Sequence, residues 1–231
     1  MSLQDLLHAA VLGDFPPADG TVRVLHEQPG AAAAVVGFTA HFVVCAPVEE
    51  AWVRQRLPAG DLSAPLGARF VSALADHLDA HIGANDAVLA AVAHGRGPSL
   101  RMEPGDAGAH PRVQRARRYR DDVRVWTTPE HDALLLLGRG LAGRWEVSFE
   151  VEPSARGRGL GAGIAAAALG LLPAGTPVFA QVTPGNAASM RAGLAAGYRP
   201  IGSEVLLSPR EGRQAIISSA SARSAGASDP Q

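Results

Sequence analysis

Lysine is absent: all 21 basic side chains among the 231 residues are arginine. With 26 glycines, 17 prolines and abundant alanine, this reads as a bias of composition rather than a physical demand. It excludes a Walker phosphate loop, which needs a lysine. Cysteine is nearly absent too. Cys45 alone allows no intrachain disulfide and no cysteine-based zinc site. Its apolar setting, "HFVVCAPV", suits a buried, inert thiol rather than a nucleophile. No apolar run reaches the ~18 residues of a membrane span, and the start "MSLQDLLHAAVLGDF" carries no basic leader. A cytoplasmic protein with no membrane partner is expected. The net charge of −1 gives no reason to expect nucleic acid. His41, His77, His81 and His110 show no ligand spacing with a third partner, so no metal is expected.

Hydrophobic residues make up 47% and charged residues 19%, a globular balance in a chain long enough for one large domain or two small ones. Residues 3–12 suit an amphipathic helix. The apolar stretches 21–27 and 34–46, with "QPG" between them, suggest a hairpin. Helices are expected over 48–57 and 66–82, the second from Phe70, Leu74, Leu78 and Ile82 stepping by four. That helix would carry His77 and His81 on one face. A strand over 86–93 follows, and then a Gly- and Pro-rich linker, "HGRGPSLRMEPGDAGAHP". Beyond it, strands are expected over 123–127, 133–137, 144–151, 178–182 and 201–207, with helices over 111–120, 159–172 and 186–196. The cluster "RVQRARRYRDDVR" could attract an anionic substrate, but a solvated, self-paired surface is the better expectation, its arginines answered by Asp121 and Asp122. Residues 1–110 are expected to form an N-terminal α/β unit, 111–208 a second unit, and 209–231 a disordered tail poor in apolar residues.

The segment that carries chemistry is "VSFEVEPSARGRGLGAGIAAAALG", residues 147–170. A glycine-rich loop at a helix start presents backbone N–H groups and the positive end of the helix dipole to one point, which suits a pyrophosphate. Gly157, Gly159 and Ala162 satisfy the dinucleotide fingerprint as a string, but two observations go against it. The strand before a dinucleotide loop is buried on both faces. Here Glu146, Ser148, Glu150 and Glu152 alternate with Trp145, Val147, Phe149 and Val151, the period of a strand with one open face. The next strand, "PVFAQVTPGN", also ends without an acid to hold a ribose.

The same segment resembles the Gcn5-related N-acetyltransferase (GNAT) family, whose acyl-CoA loop reads [QR]-x-x-G-x-[GA] after a V-x-P strand end. Val151 and Pro153, then Arg156, Gly159 and Gly161, stand in those places. "NAASMRAGLAAGY" resembles the family's second signature, with Asn186, Ser189, Gly197 and Tyr198 matching. Together the resemblance covers roughly 115–207. It implies an α/β (α+β) fold with a mixed, mostly antiparallel sheet, flanking helices and a parallel strand pair that splays apart. It implies acetyl-CoA or another acyl-CoA as co-substrate, held by Phe149, Val151, Arg156, Gly157, Arg158, Gly159, Leu160, Gly161, Asn186 and Ser189. Arg158 is open between a phosphate contact and a solvated loop residue, and Asn186 between a cofactor contact and a plain N-cap. The N–H of Phe149 or Val151 would polarise the thioester carbonyl.

The implied reaction is direct attack by a primary amine, of a small molecule or a peptide, on the acyl carbon. Glu146 and Glu150, on the polar face of the first splayed strand, are the candidate bases, Glu146 first because it lies further from the loop. Either could equally be an ordinary carboxylate on an exposed strand face. Relatives often place a tyrosine seven residues after the asparagine, to protonate the leaving thiolate; here that position is Gly193. Tyr198 suits packing. A non-catalytic acyl-CoA-binding or regulatory module is the alternative, and residues 1–110 would be either a degenerate second half or part of one interrupted domain.

Overall fold

Ser2 and Asp5 form a capping box that starts α1, Leu3–Val11, with Leu3, Leu6, Leu7 and Ala10 on its buried side. The computed structural model describes residues 1–26 and 32–210. After α1 come β1 (Val22–Leu25), β2 (Ala33–Phe38), β3 (His41–Cys45), α2 (Glu50–Arg54), α3 (Ala68–Leu78), β4 (Ala80–Val92) and β5 (Glu103–Gly105). Then follow α4 (Pro111–Tyr119), β6 (Asp121–Thr127), β7 (Ala133–Arg139), β8 (Trp145–Val151), α5 (Leu160–Leu171), β9 (Pro177–Val182), α6 (Ala187–Ala195) and β10 (Arg199–Pro209). Among the described residues no helix is long and apolar enough to cross a membrane.

All ten strands join one mixed sheet in the order β1-β3-β2-β10-β4-β9-β8-β7-β6-β5. The last strand, β10, lies between β2 and β4, so strands from both ends of the chain are interleaved. Only β1/β3 and β8/β9 are parallel. Alternate residues of each strand face opposite ways. Val36, Val43, Ala90 and Phe179 look toward α1, and Leu134 and Leu136 toward α4 on the same side. On the opposite side Leu135, Leu137, Val147 and Val178 pack under α5 and α6, and Val35, Val44 and Leu207 under α2 and α3.

The C-terminal elements lie where the sequence pattern puts them, within a residue or two. The N-terminal ones differ in three ways. The hairpin is β2–β3, turning at Thr39 and Ala40, whereas β1 runs parallel to β3. Ala40 takes a left-handed φ of 49° without the Gly or Asn that marks such turns, so nothing in the apolar run 34–46 shows the reversal. The expected turn at "QPG" falls outside the described residues. Second, α3 stops at Leu78 because Asp79 adopts the left-handed conformation (φ 51°, ψ 55°), and His81 and Ile82 begin β4 instead of completing a helix. His77 and His81 therefore share no helix face. Third, the linker contains β5, paired to β6 at the sheet edge, and β10 extends to Pro209. The rest of the expected tail, 211–231, is outside the described residues.

Candidate active site

The parallel strands β8 and β9 pair at only two positions, Trp145 with Val178 and Glu146 with Phe179. Beyond them β8 stays on β7 as far as Val151 and β9 stays on β4 as far as Val182, so the two strands part. The backbone of β8 faces this gap with unpaired donors. Glu152 N donates to Asp132 O at one end of the β7/β8 ladder, and Gly140 N donates to Arg144 O at the other. Even-numbered residues of β8 thus bond to β7; the N–H of Val147 closes the last pairing with β9 at Phe179, and those of Phe149 and Val151 turn toward the gap.

At the open end of the gap the glycine loop leads into α5. Gly157 and Gly159 take φ of 79° and 80°, a region that a side chain would strain. Gly159 is the N-cap, so no side chain caps α5, and its first turn holds no acid. The other long helices near the site differ: α6 is capped by Asn186, whose Oδ1 accepts from Ser189 N at 3.1 Å, and α4 by His110. The first N–H groups of α5, at Leu160 and Gly161, therefore keep their positive potential for something else. Arg158, Gly159 and Leu160 line a cavity of ≈390 Å³ with Leu100, Asp132, Ala155 and Gly163. Arg156 Nε donates to the carbonyl of Val151 at 2.9 Å and so ties the loop to the strand end. Phe149 turns its ring under α5, where a Cβ at Gly161 would meet it at 3.5 Å.

Glu150 lies on the α1/α4 side of the sheet, about one-third exposed, and its Oε2 accepts from Arg112 Nε at 2.8 Å. That hydrogen bond, against a small opposing effect of burial, holds the Glu150 carboxyl below the usual carboxylate range. Glu146 has a different setting. The open strand face expected from the alternation of β8 holds at Ser148 and Glu150 and fails at Glu146, which is buried (3% exposed). The reason is a polar cluster drawn from distant segments. Arg144 Nε stands 3.0 Å from Glu146 Oε1, and Arg120 Nε stands 2.8 Å from Glu146 Oε2. Leu141 N donates to Glu146 Oε1 at 3.2 Å and Gln181 Nε2 to the same oxygen at 3.3 Å. A Cβ at Gly140 would lie 2.3 Å from the Glu146 carboxyl carbon, so only glycine admits this packing. Burial works against the ionised form, yet Arg144 and Arg120 carry the Glu146 pKa below its ordinary value.

The cluster continues to β10. Arg144 is fully buried and grips Glu204 with both terminal nitrogens, at 2.8 and 2.5 Å. Burial disfavours its charge, but Glu204 and Glu146 outweigh that and raise its pKa. Two arginines and two glutamates make the cluster neutral, and among the described residues no buried side-chain donor or acceptor lacks a partner. Arg144, Glu204 and Gln181 carry no sequence signal: Arg144 stands just before β8, and Glu204 and Gln181 are isolated charged or amide residues within β10 and β9. Arg120 belongs to the basic cluster expected to be solvated. That expectation fits Arg124, paired with Asp122 at 2.7 Å, and Arg117, paired with Asp106, but not Arg120.

Two further positions bear on proton transfer. Gly193 faces the layer between α6 and the sheet, where a Cβ would stand 2.9 Å from a buried methyl of Leu89. Tyr198 is buried at 2%, and its hydroxyl donates to the Ala165 carbonyl at 3.3 Å. Burial alone pushes its pKa up. Among the described residues no group of three or more His, Cys, Asp or Glu is placed to hold a metal.

No protein-family model and no curated protein matches the chain. Solved structures do. The chain is similar to a GCN5-related N-acetyltransferase from Kribbella flavida at 20% identity, over 63% of this chain and 65% of that one, with a TM-score of 0.37. It is similar to an acetyltransferase of the GNAT family from Colwellia psychrerythraea at 13% identity, over 60% and 61%, TM-score 0.33. A Drosophila protein matches at 16% identity, over 61% of this chain and 56% of its own, TM-score 0.42. The chain thus spans under two thirds of the length of each. The mixed sheet with its flanking helices is the arrangement that the resemblance of residues 115–207 implies. Within the chain itself, the parted β8/β9 pair, the glycine loop before an uncapped α5 and the asparagine-headed α6 lie where that resemblance leads one to expect them.

Removing one partner from the buried cluster leaves a charge stranded. Glu204→Gln is expected to cost about 3–5 kcal/mol in urea unfolding at neutral pH, while Tyr198→Phe, which loses one neutral hydrogen bond, costs about 1 kcal/mol. The pH dependence follows from Glu146. Its folded pKa is depressed, so its contribution is complete above the unfolded value and is lost as pH falls through the folded one. Unfolding free energy should be level from neutrality to about pH 5 and fall below about pH 4.5, and this acid loss should be smaller in Glu146→Gln. An unchanged acid limb in that variant would show that Glu146 is not the group responsible.

Proposed function

We propose that the chain is an acyl-CoA-dependent N-acyltransferase, with acetyl-CoA the simplest donor, acting on a primary amine of a small molecule or peptide in a ternary complex. The observation that carries this reading is the uncapped N-terminus of α5, with two left-handed glycines before it and the parted strands β8 and β9 beside it. A pyrophosphate suits the free N–H groups of Leu160 and Gly161, with Arg158 beside the same cavity. The pantetheine arm fits the gap, where the N–H groups of Phe149 and Val151 can pair with its amides and polarise the thioester carbonyl. Asn186 and Ser189 are engaged with each other as the cap of α6, and a cofactor contact there would use other atoms.

Glu150 is the base in this reading. It is reachable from solvent, and its pairing with Arg112 keeps it ionised wherever an amine can be deprotonated. Glu146 has both oxygens committed to arginines and acts as a structural anchor. The settings of Gly193 and Tyr198 favour one other reading, a module that binds acyl-CoA without turnover, because neither can protonate a thiolate in the gap.

Thiol release from acetyl-CoA across a panel of amines tests the proposal. Glu150→Gln should lower kcat/KM by about 10²-fold or more with little change in melting temperature, whereas Glu146→Gln should act mainly by lowering stability. CoA should raise the melting temperature and NAD should not. Tight CoA binding with no thiol release on any amine would favour the non-catalytic module, and stabilisation by NAD instead would remove both readings.

A further inference from the structure

The guanidinium of Arg120 lies across the point at which β8 and β9 part. Its chain position is the C-cap of α4, from which the side chain reaches back over the sheet. Nε holds Glu146, the last residue of β8 paired to β9. Nη1 donates to Ser148 Oγ at 3.2 Å and Nη2 to Gln181 Oε1 at 3.3 Å. Ser148 and Gln181 are the first residues beyond the paired positions whose side chains share this face, one on each strand. The group is nearly buried, at 13% side-chain exposure. A guanidinium carries five N–H donors and three are engaged, which leaves one on each terminal nitrogen.

An arm that enters the gap from the α5 end carries its reactive end toward this apex. Acyl transfer to an amine leaves negative charge on sulfur; Gly193 has no side chain to protonate it, and the Tyr198 hydroxyl is turned into the core on the Ala165 carbonyl. We propose that Arg120 is a catalytic residue that stabilises the departing thiolate through its two remaining N–H groups; this rests on the acyl-CoA reading above. The nitrogen lone pair forms the C–N bond, the C–S bond breaks, and its electron pair goes to sulfur as a thiolate beside the guanidinium. The ammonium proton leaves by way of Glu150. Arg120 keeps its own proton throughout, and the thiolate takes one from water as CoA departs. Five groups face Arg120 or hold its partners in place: Glu146, Ser148, Gln181, Arg144 and Glu204. Their formal charges, with that of Arg120, cancel.

The test reads the thiol of bound CoA, so it does not depend on turnover. Thiolate absorbance across a pH series, for the wild type saturated with CoA, should show the bound thiol titrating about 1–3 pH units below free CoA measured alongside. Arg120→Gln should restore the free value. Arg120→Lys, which keeps a cation for Glu146 but loses the fork, should fall between them. Each variant counts only if CoA still raises its melting temperature, and the wild-type titration decides the matter even if Arg120→Gln does not fold. In rate measurements Arg120→Gln should lose about 10²-fold with acetyl-CoA and under about 5-fold with an aryl ester, whose leaving group needs little help. A bound thiol that titrates like a free one, or equal losses with both donors, overturns the inference. A lowered thiol pKa without turnover on any amine upholds the Arg120–sulfur contact and overturns the transferase reading instead.

Discussion

Charge neutrality inside the sheet is the constraint on which this structure depends. Arg144 cannot be buried alone; an isolated guanidinium in a low-dielectric interior would cost far more than the whole stability of a domain. It is tolerated because Glu204 takes both of its terminal nitrogens and Glu146 takes the third. Glu146 then has one oxygen left, and Arg120 takes that. Each member creates a demand that the next one meets, until the charges sum to zero. Such a cluster is weak as a source of net stability, since desolvation offsets most of its attraction. Its effect is on specificity of arrangement, because any register that moves β8, β9 or β10 an extra step would strand a charge.

The parted strands follow from the same constraint. The cluster joins β8 through Glu146, β9 through Gln181, β10 through Glu204 and the end of α4 through Arg120. It fixes β8 and β9 together at their starts, where Trp145 and Glu146 meet Val178 and Phe179. Each strand is held along its remaining length by its other neighbour, β7 or β4. With both outer ladders complete, the inner pair can open without loss of the core, and what is exposed is backbone N–H and C=O groups rather than apolar surface. A gap made this way is rigid at the apex and open at the loop.

How much of this was legible in the sequence divides by the range of the interactions. The C-terminal elements were legible because period-two strands and the glycine loop state their own boundaries. The turn at Thr39–Ala40 was not, since a left-handed alanine looks like any other alanine in an apolar run. The loop residues from Arg156 to Gly161 were marked by chemistry local to them: glycines, a helix start and no cap. Glu146 and Glu150 looked alike, two carboxylates four apart on one strand. What separates them is Arg144, Arg120 and Gly140 folding over the first and only Arg112 reaching the second. Arg120 and Glu146 are 26 positions apart, and Glu204 is 60 from Arg144, a coupling that no window of sequence displays.

The absence of lysine acquires a physical consequence here, whatever its origin. A compact ammonium could neutralise Glu146, but it could not also reach Ser148 and Gln181 in one plane, nor take Glu204 through two parallel bonds. The two ends of the gap are then electrostatically unlike. At the loop, the dipole of α5 and Arg158 face one carboxylate, Asp132, across the cavity, which leaves a net positive end suited to an anion. At the apex every formal charge is matched, so in the proposed reaction a neutral amine would meet no field that holds it protonated, while charge forming on a departing atom would meet the nearly buried guanidinium of Arg120. An anchor for charge at one end and a neutral, donor-rich apex at the other is the division of labour that transfer from a polyanionic carrier to an uncharged nucleophile requires.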